Sequence, residues 1–150
     1  MYPNEKPERT PVLFTKTNCM KALEVRIGNY AEVEGVPALI TAIHSDANDG
    51  RIEVLAASGK TVKINAADLK PISITTELLA GNCGFNDFGR FRIGVDDHIY
   101  QLEFSEGYIS LLNREGEPVI HFMDIRNLHQ LQNLYYALKG KEMEITDLIK

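Results

Sequence analysis

Apolar side chains recur every three to four residues near the C-terminus of this 150-residue chain, between residues 127 and 140. The side chains in this pattern are Leu128, Leu131, Leu134, Tyr135 and Leu138. At ~100° per residue they share an arc of roughly 120°, which is the width of a helix face that packs on a core. Asn127 or Asp124 can cap the first turn, Lys139 suits the negative end of the helix dipole, and Gly140 suits a left-handed C-cap. The pattern therefore predicts a packed helix over residues 127–140.

Short alternating stretches separated by turn residues cover residues 21–72. Strands are predicted at residues 30–34, 38–44, 51–56 and 61–64. Glu34-Gly35 suits a tight hairpin because glycine adopts positive φ at little cost, and one helical turn is predicted at residues 66–69. Short strands that end in a single helical turn resemble a small SH3-like β-barrel, so residues 21–72 are predicted to form one. Residues 1–20, with three prolines, are interpreted as an N-terminal tail.

Residues 73–150 predict an antiparallel sheet that carries the C-terminal helix. Thr75 can cap a short helix whose first turn contains Glu77, and that helix is expected to close at Gly81 or Gly84. Four strands are predicted at residues 90–95, 99–104, 108–112 and 119–123, and the simplest connection makes them a meander. The weak alternation of residues 142–149 predicts one further strand. The fold class is therefore α+β, with an SH3-like barrel followed by an antiparallel sheet and one packed C-terminal helix.

Charge and hydropathy narrow the range of partners. The net charge is −5, and residues 73–150 account for it while the rest of the chain is close to neutral. No segment has the clustered Lys and Arg that neutralise phosphates, so nucleic acid is not the expected partner. No apolar run is long enough to span a bilayer, and the first ten residues lack a signal-peptide core, which predicts a cytoplasmic protein with no membrane partner. Cys19 and Cys83 match no metal or redox spacing, so both are predicted to be reduced structural thiols.

The candidate chemical motifs do not support a catalytic or metal site. The triplet at residues 87–89 spells the kinase metal-binding motif Asp-Phe-Gly, but no glycine-rich loop or catalytic loop accompanies it. Residues 46–50 resemble the start of a calcium loop, yet its glycine and distal glutamate are missing. The four histidines, His44, His98, His121 and His129, lie in separate elements without metal-ligand spacing, and Asp96-Asp97 beside His98 is interpreted as a solvated turn. We therefore predict no cofactor, no metal and no enzymatic activity.

A second ribbon runs along the predicted C-terminal helix beside the leucine face. Its members, His129, Gln132, Asn133 and Tyr136, recur at positions i, i+3, i+4 and i+7. A polar ribbon that ends in an aromatic residue can bind a partner, because tyrosine combines a rigid contact surface with a hydrogen-bonding tip. These four residues are the candidate partner-binding site, available at the edge of the domain if the sheet takes the leucine face. The alternative is a helix half in solvent whose Tyr136 packs on the sheet.

Three blocks of this sequence carry a resemblance to known proteins: residues 23–30 (LEVRIGNY), residues 68–75 (DLKPISIT) with the later Gly84-Phe85, and residues 129–138 (HQLQNLYYAL). Together they resemble a family of short uncharacterised proteins encoded in phages and mobile elements of anaerobic gut bacteria. The third block is the most specific, and the resemblance spans most of the chain from Leu23 onward. It implies a phage or prophage origin and expression in a bacterial cytoplasm, but it implies no activity.

The predicted function is that of a non-enzymatic accessory or adaptor protein of a phage or mobile element. It would act through contacts with an unidentified protein partner or with a second copy of itself. One alternative is a nucleic-acid-binding module that uses the barrel, which a basic surface patch would favour. A second alternative is a small hydrolase whose catalytic residues come from distant parts of the chain, which a deep pocket with convergent polar groups would favour.

Overall fold

The computed structural model describes residues 25–44, 51–86, 90–95 and 100–149 and shows an α+β protein with two antiparallel sheets. The first sheet contains β1 (Tyr30–Val33), β2 (Val36–His44), β3 (Arg51–Leu55), β4 (Thr61–Asn65) and β5 (Leu69–Lys70). Its strand order is β4-β3-β2-β1-β5, and the sheet curls into a half-barrel. The predicted fold class is confirmed at this level, including the four predicted strands of the first half.

Local sequence explains the turns of the half-barrel. Glu34 and Gly35 both have positive φ, at 52° and 81°, which is the backbone of the two-residue hairpin that the Glu-Gly pair predicts. A 3₁₀ turn at Ala66–Asp68 confirms the predicted helical turn. It leads directly into β5, a two-residue strand that pairs with β1 through Glu32 and Lys70. Two residues are too few to show an alternating pattern, so β5 has no signal in the sequence.

The second sheet is a meander in the order β6-β7-β8-β9, as predicted. Its strands are β6 (Phe91–Gly94), β7 (Gln101–Ser105), β8 (Tyr108–Leu112) and β9 (Pro118–Phe122). The short helix α1 (Thr76–Asn82) precedes them, and the hydroxyl of its predicted N-cap, Thr75, accepts a hydrogen bond from Leu78 N at 3.1 Å. Gly81 lies inside this helix, whereas Gly84 follows it with φ of 76°.

The C-terminal helix α2 spans Leu128–Lys139, which confirms the predicted helix. The side chain of Gln130 accepts hydrogen bonds from the backbone N–H groups of Arg126 (2.9 Å) and Asn127 (3.0 Å) at its start. At its end Gly140 is left-handed, with φ of 80°, and its N–H donates to Tyr136 O at 2.8 Å. Leu128 and Leu131 are fully buried, whereas Leu138 is exposed, so the buried face is narrower than the apolar stripe.

Two clusters of buried apolar residues form the interior. The half-barrel encloses mainly small and β-branched side chains, among them Ala31, Ala38, Ile40, Ile52, Val54 and Leu69. The second sheet, α1 and α2 enclose a larger cluster that includes Leu79, Phe85, Leu102, Ile109, Leu128 and Leu131. Helix α2 therefore packs on the second sheet, as its leucine spacing predicts.

The predicted strand at residues 142–149 is wrong, because this segment has no ladder partner. It is held instead by Asn82, whose side chain donates to Thr146 O at 2.8 Å while its carbonyl accepts from Thr146 N at 2.9 Å. The predictions for the tail at residues 1–20, the turn at 46–50, the triplet at 87–89 and the turn at 96–98 lie outside the described residues. Among the helices that are described, none combines the length and hydrophobicity needed to cross a membrane.

Candidate functional site

Gln132 on α2 is fully buried against the loop that leads into β1. Its amide oxygen accepts a hydrogen bond from Tyr30 N at 2.9 Å, and its amide nitrogen donates to Gly28 O at 2.8 Å. Both partners are backbone groups of residues 26–30, a loop about one hundred positions earlier in the chain. One side chain thus satisfies a buried donor and a buried acceptor of the half-barrel from a helix that packs on the second sheet.

Asn133 extends this connection with its side-chain oxygen. That oxygen accepts two hydrogen bonds, from Arg26 Nε at 3.1 Å and from Asn29 Nδ2 at 2.9 Å. Asn29 is itself fully buried, and its own side-chain oxygen accepts from Arg26 N at 2.7 Å, which closes the turn between the two residues. The loop is therefore fixed both by its own turn and by α2.

Arg26 carries the connection to the surface. Its guanidinium lies over the Tyr136 ring, 4.3 Å from the centroid, and pairs with both carboxylate oxygens of Glu142. Gly28 makes room for this pair, because a Cβ there would lie 3.2 Å from a Glu142 oxygen. Its φ of 100° also favours glycine. The arginine is thus held by an aromatic face, a carboxylate and an amide at once.

Residues 72–74, which belong to the second sequence block at residues 68–75, contact the start of α2. Leu128 N donates to Ile72 O at 2.7 Å, and Ile74 N donates to Arg126 O at 3.1 Å, so residues 72–74 pair with the residues that enter α2. Described parts of the first and second blocks, residues 26–30 and 72–74, therefore both contact α2 or the residues that enter it, and α2 contains the third block. We call the contacts of residues 26–30 with α2 and Glu142 the junction.

The expectation that the second ribbon is available at the domain edge is wrong for two of its four members. His129 and Gln132 are buried, Asn133 is half-buried and bonded to the loop, and only Tyr136 is well exposed, at 43%. For Gln132 and Asn133 the reason is that a second face of α2 packs against residues 26–30, a contact that helical periodicity cannot reveal. Among the four predicted site residues, Tyr136 remains as surface.

Tyr136 belongs to a small exposed patch at the junction. Arg26 lies over its ring, and Ile27, the next residue along the loop, is 55% exposed. Glu142 borders the arginine on its other side. We call these four residues, Arg26, Ile27, Tyr136 and Glu142, the junction patch. Sequence reasoning found Tyr136 but missed the other three, since no local pattern places a loop beside a helix one hundred residues away.

Partial burial affects the phenol of Tyr30, the last residue of the loop at residues 26–30. Tyr30 packs against the larger core, and burial raises the pKa of its hydroxyl above the ordinary value. The phenol is therefore neutral across the physiological range. The ring of Tyr30 packs against the larger core, while its backbone N–H supplies the hydrogen bond to Gln132.

A second set of polar side chains lies in one row across the second sheet. Register aligns Arg92, Glu103, Ser110 and His121 on neighbouring strands. Arg92 Nε donates to Glu103 at 2.8 Å, and Ser110 Oγ lies 2.7 Å from His121 Nδ1. A serine beside a histidine is the beginning of a nucleophilic site. Here, however, Ser110 is buried, with 5% of its surface exposed, so this pair by itself gives the hydrolase alternative no support.

Metal chemistry receives no support from the part of the chain that the structure describes. Three or more His, Cys, Asp or Glu side chains do not converge there in a way that could hold an ion. His44 pairs with Glu53 at 2.6 Å across β2 and β3, and Cys83 is a free, buried thiol. Comparisons of this chain with protein-family models, with curated proteins and with solved structures find no match.

Proposed function

We propose that this chain is a non-enzymatic adaptor of a phage or mobile element that binds a protein partner through the junction patch. The phage origin follows from the resemblance of the three sequence blocks, and the same resemblance favours a bacterial cytoplasm as the site of action. The half-barrel is proposed to be SH3-like, a fold that serves many unrelated binding functions. The binding surface is therefore argued from the patch and not from the fold.

The stacked pair of Arg26 and Tyr136 carries this proposal. Arginine and tyrosine are enriched among the residues that dominate binding energy at protein interfaces. Immobilising a long side chain on binding usually costs about 0.5–1.5 kcal/mol. Arg26 is already fixed by the Tyr136 ring, Glu142 and Asn133, so a partner would meet it in its bound arrangement. Ile27 adds exposed aliphatic surface beside it.

The charge balance of the patch favours a protein over a nucleic acid. Glu142 neutralises Arg26, so the patch presents no net positive charge to a phosphate backbone. An exposed aromatic ring, an aliphatic side chain and a paired arginine match instead the composition of interface centres between proteins. The partner is expected to bury Tyr136 and Ile27 together.

A pull-down from cells of the bacterial host, with mass spectrometry of the co-purifying proteins, tests this function. Tyr136→Ala should reduce recovery of the specific partner at least tenfold. The reason is that truncating an aromatic anchor at an interface commonly costs about 2 kcal/mol or more of binding free energy. Tyr100→Ala is the matched control, since Tyr100 is similarly exposed on the second sheet. The proposal fails if Tyr136→Ala, with an unchanged circular dichroism spectrum, recovers as much partner as the control.

A further inference from the structure

The open end of the half-barrel forms an apolar concavity away from the junction. It lies between the β1–β2 turn and the β3–β4 turn, which meet at one end of the sheet because successive strands alternate in direction. Its volume is about 360 Å³, and its walls are mainly valine and alanine side chains, Val33, Val36, Ala38, Val54, Ala56, Ala57 and Val62. We call it the barrel mouth.

The barrel mouth is a continuation of the half-barrel core. Ala38 and Val54 form its floor and are almost fully buried. Val36 and Val62 stand at its opening and remain 49% and 46% exposed, although each lies opposite a core-facing valine in the register of the sheet. The side chains of Val36 and Val62 thus line the opening of the cavity with exposed aliphatic surface. Apolar cavities in the mouths of curled sheets are a common location for small ligands.

The barrel mouth is already formed in this structure. The β1–β2 turn is a tight hairpin, and the β3–β4 turn is closed by hydrogen bonds from Ala56 N to Lys60 O (3.0 Å) and from Gly59 N to Ala56 O (2.9 Å). A ligand would therefore enter a site that needs little ordering. Its volume lies near the lower end of the range for small-molecule sites, roughly 300–1,000 Å³.

Glu34 gives the barrel mouth its charge. It lies in the β1–β2 turn and is the one charged residue among the described residues that line the mouth. Within the described ranges its carboxylate has no ion-pair partner, whereas Glu53, Glu103 and Glu142 each pair with a base. An anionic group at the rim of an apolar cavity complements a ligand with an aliphatic body and a cationic head. It disfavours a ligand of the same shape that carries a carboxylate.

We infer that the barrel mouth binds a small aliphatic ammonium ligand, whose chain lies against Ala38, Val54 and Val62 and whose cation pairs with Glu34. The site is separate from the junction patch, so it does not depend on the proposed protein contact. The small volume favours a small molecule over an extended peptide. The described lining is aliphatic and contains no aromatic ring, which favours an alkyl chain over a planar ligand.

Titration with three ligands of equal length tests the inference by NMR of valine methyl groups in the full chain. Hexylammonium should shift the methyl signals of Val36 and Val62, with a dissociation constant on the order of 1 mM or tighter. Hexanol should bind several-fold more weakly, and hexanoate at least tenfold more weakly. Glu34→Gln should bring hexylammonium to the affinity of hexanol without changing the affinity for hexanol.

Two further variants separate the cavity from nonspecific apolar binding. Val36→Phe, at an exposed position of the rim, should fill the mouth and abolish binding of all three ligands. Val119→Phe is the matched control, because Val119 is a similarly exposed strand residue in the other sheet. The inference is overturned if the three ligands bind wild type equally or if Val36→Phe binds hexylammonium like the control. A lysine-containing peptide and a protein dilution series complete the test: the inference is also overturned if the Val36 and Val62 signals respond only to that peptide or only to rising protein concentration.

Discussion

Gln132 and Asn133 show how much of this fold depends on two amide side chains. Together they accept three hydrogen bonds and donate one across the junction, and Gln132 does so without exposure to water. Neutral amides suit this position because they satisfy both backbone donors and acceptors, whereas a buried charge would carry a large desolvation cost. Each residue is adjacent in sequence to a core leucine or one turn from it. Consecutive positions of α2 therefore contact both the larger core and the loop at residues 26–30.

Cys83 leads to a prediction about reactivity. It is buried at the C-terminal end of α1, and burial raises the pKa of its thiol to about 12. Since the thiolate is the reactive form, the folded protein at pH 8 should protect it from thiol reagents. In a Cys19→Ser variant, where Cys83 is the one remaining thiol, the disulfide reagent DTNB should react at least a hundredfold more slowly in buffer than in urea.

Equal rates of DTNB reaction in the folded and unfolded states would contradict the burial of Cys83.

The same pKa shift has a consequence for stability. The folded thiol titrates at a higher pH than the unfolded one, so its contribution to stability is complete below about pH 9 and is lost as the pH rises toward about 12. The prediction of a reduced structural thiol is confirmed for Cys83, while Cys19 lies outside the described residues.

Residue identity alone could not distinguish a binding ribbon from an internal contact. His129, Gln132 and Asn133 look like the solvent side of an amphipathic helix, because polar residues beside an apolar stripe usually face water. In the structure Gln132 and Asn133 face a loop from the other end of the chain, and His129 is buried. The sequence nevertheless holds the loop's own signals, a glycine and an asparagine at residues 28 and 29. What it lacks is any local pattern that pairs this loop with α2.

At the scale of elements, patterns that repeat along the chain predicted the structure well. The leucine spacing located α2, and the Glu34-Gly35 pair located the β1–β2 hairpin, where both residues have positive φ. Elements without a repeating pattern were missed or assigned incorrectly. The two-residue strand β5 is defined by its pairing with β1, and residues 142–149 are held by Asn82 instead of by a ladder.

Two leucines on α2 give a matched test of its packing. Leu131 is fully buried in the larger core, whereas Leu138, two turns later, is exposed. Leu131→Ala should lower the free energy of unfolding by about 2–5 kcal/mol, because it removes buried methyl groups and leaves a cavity. Leu138→Ala should change it by less than about 1 kcal/mol, since little buried surface is lost.

Urea denaturation followed by circular dichroism measures both values. Both variants make the same Leu→Ala change in one helix, so the change in helix propensity is the same. The difference between their free energies of unfolding therefore reports burial. A similar loss of stability in the two variants would mean that α2 packs through a different face. It would also remove the geometric basis for placing Gln132 and Asn133 at the junction.

For the molecule as a whole, the question is how two separate cores behave as one folded unit. The half-barrel core contains mostly alanine, valine and isoleucine, and the second core contains larger leucine and phenylalanine side chains. Larger side chains bury more apolar area each, so we expect the second core to be the more stable of the two. The junction is then the set of contacts through which the half-barrel gains stability from its neighbour.

Gln132→Ala tests this coupling. The substitution leaves Tyr30 N and Gly28 O buried without their partner, which should cost about 2–4 kcal/mol at the junction. We expect hydrogen exchange with mass spectrometry to show faster exchange in peptides from β2 and β3 than in peptides from β7 and β8, relative to wild type. Leu131→Ala is the control, because it weakens the second core from the adjacent position and leaves both hydrogen bonds of Gln132 in place. If Gln132→Ala instead accelerates exchange in both sheets equally, the two cores unfold as one unit and the junction does not set their coupling.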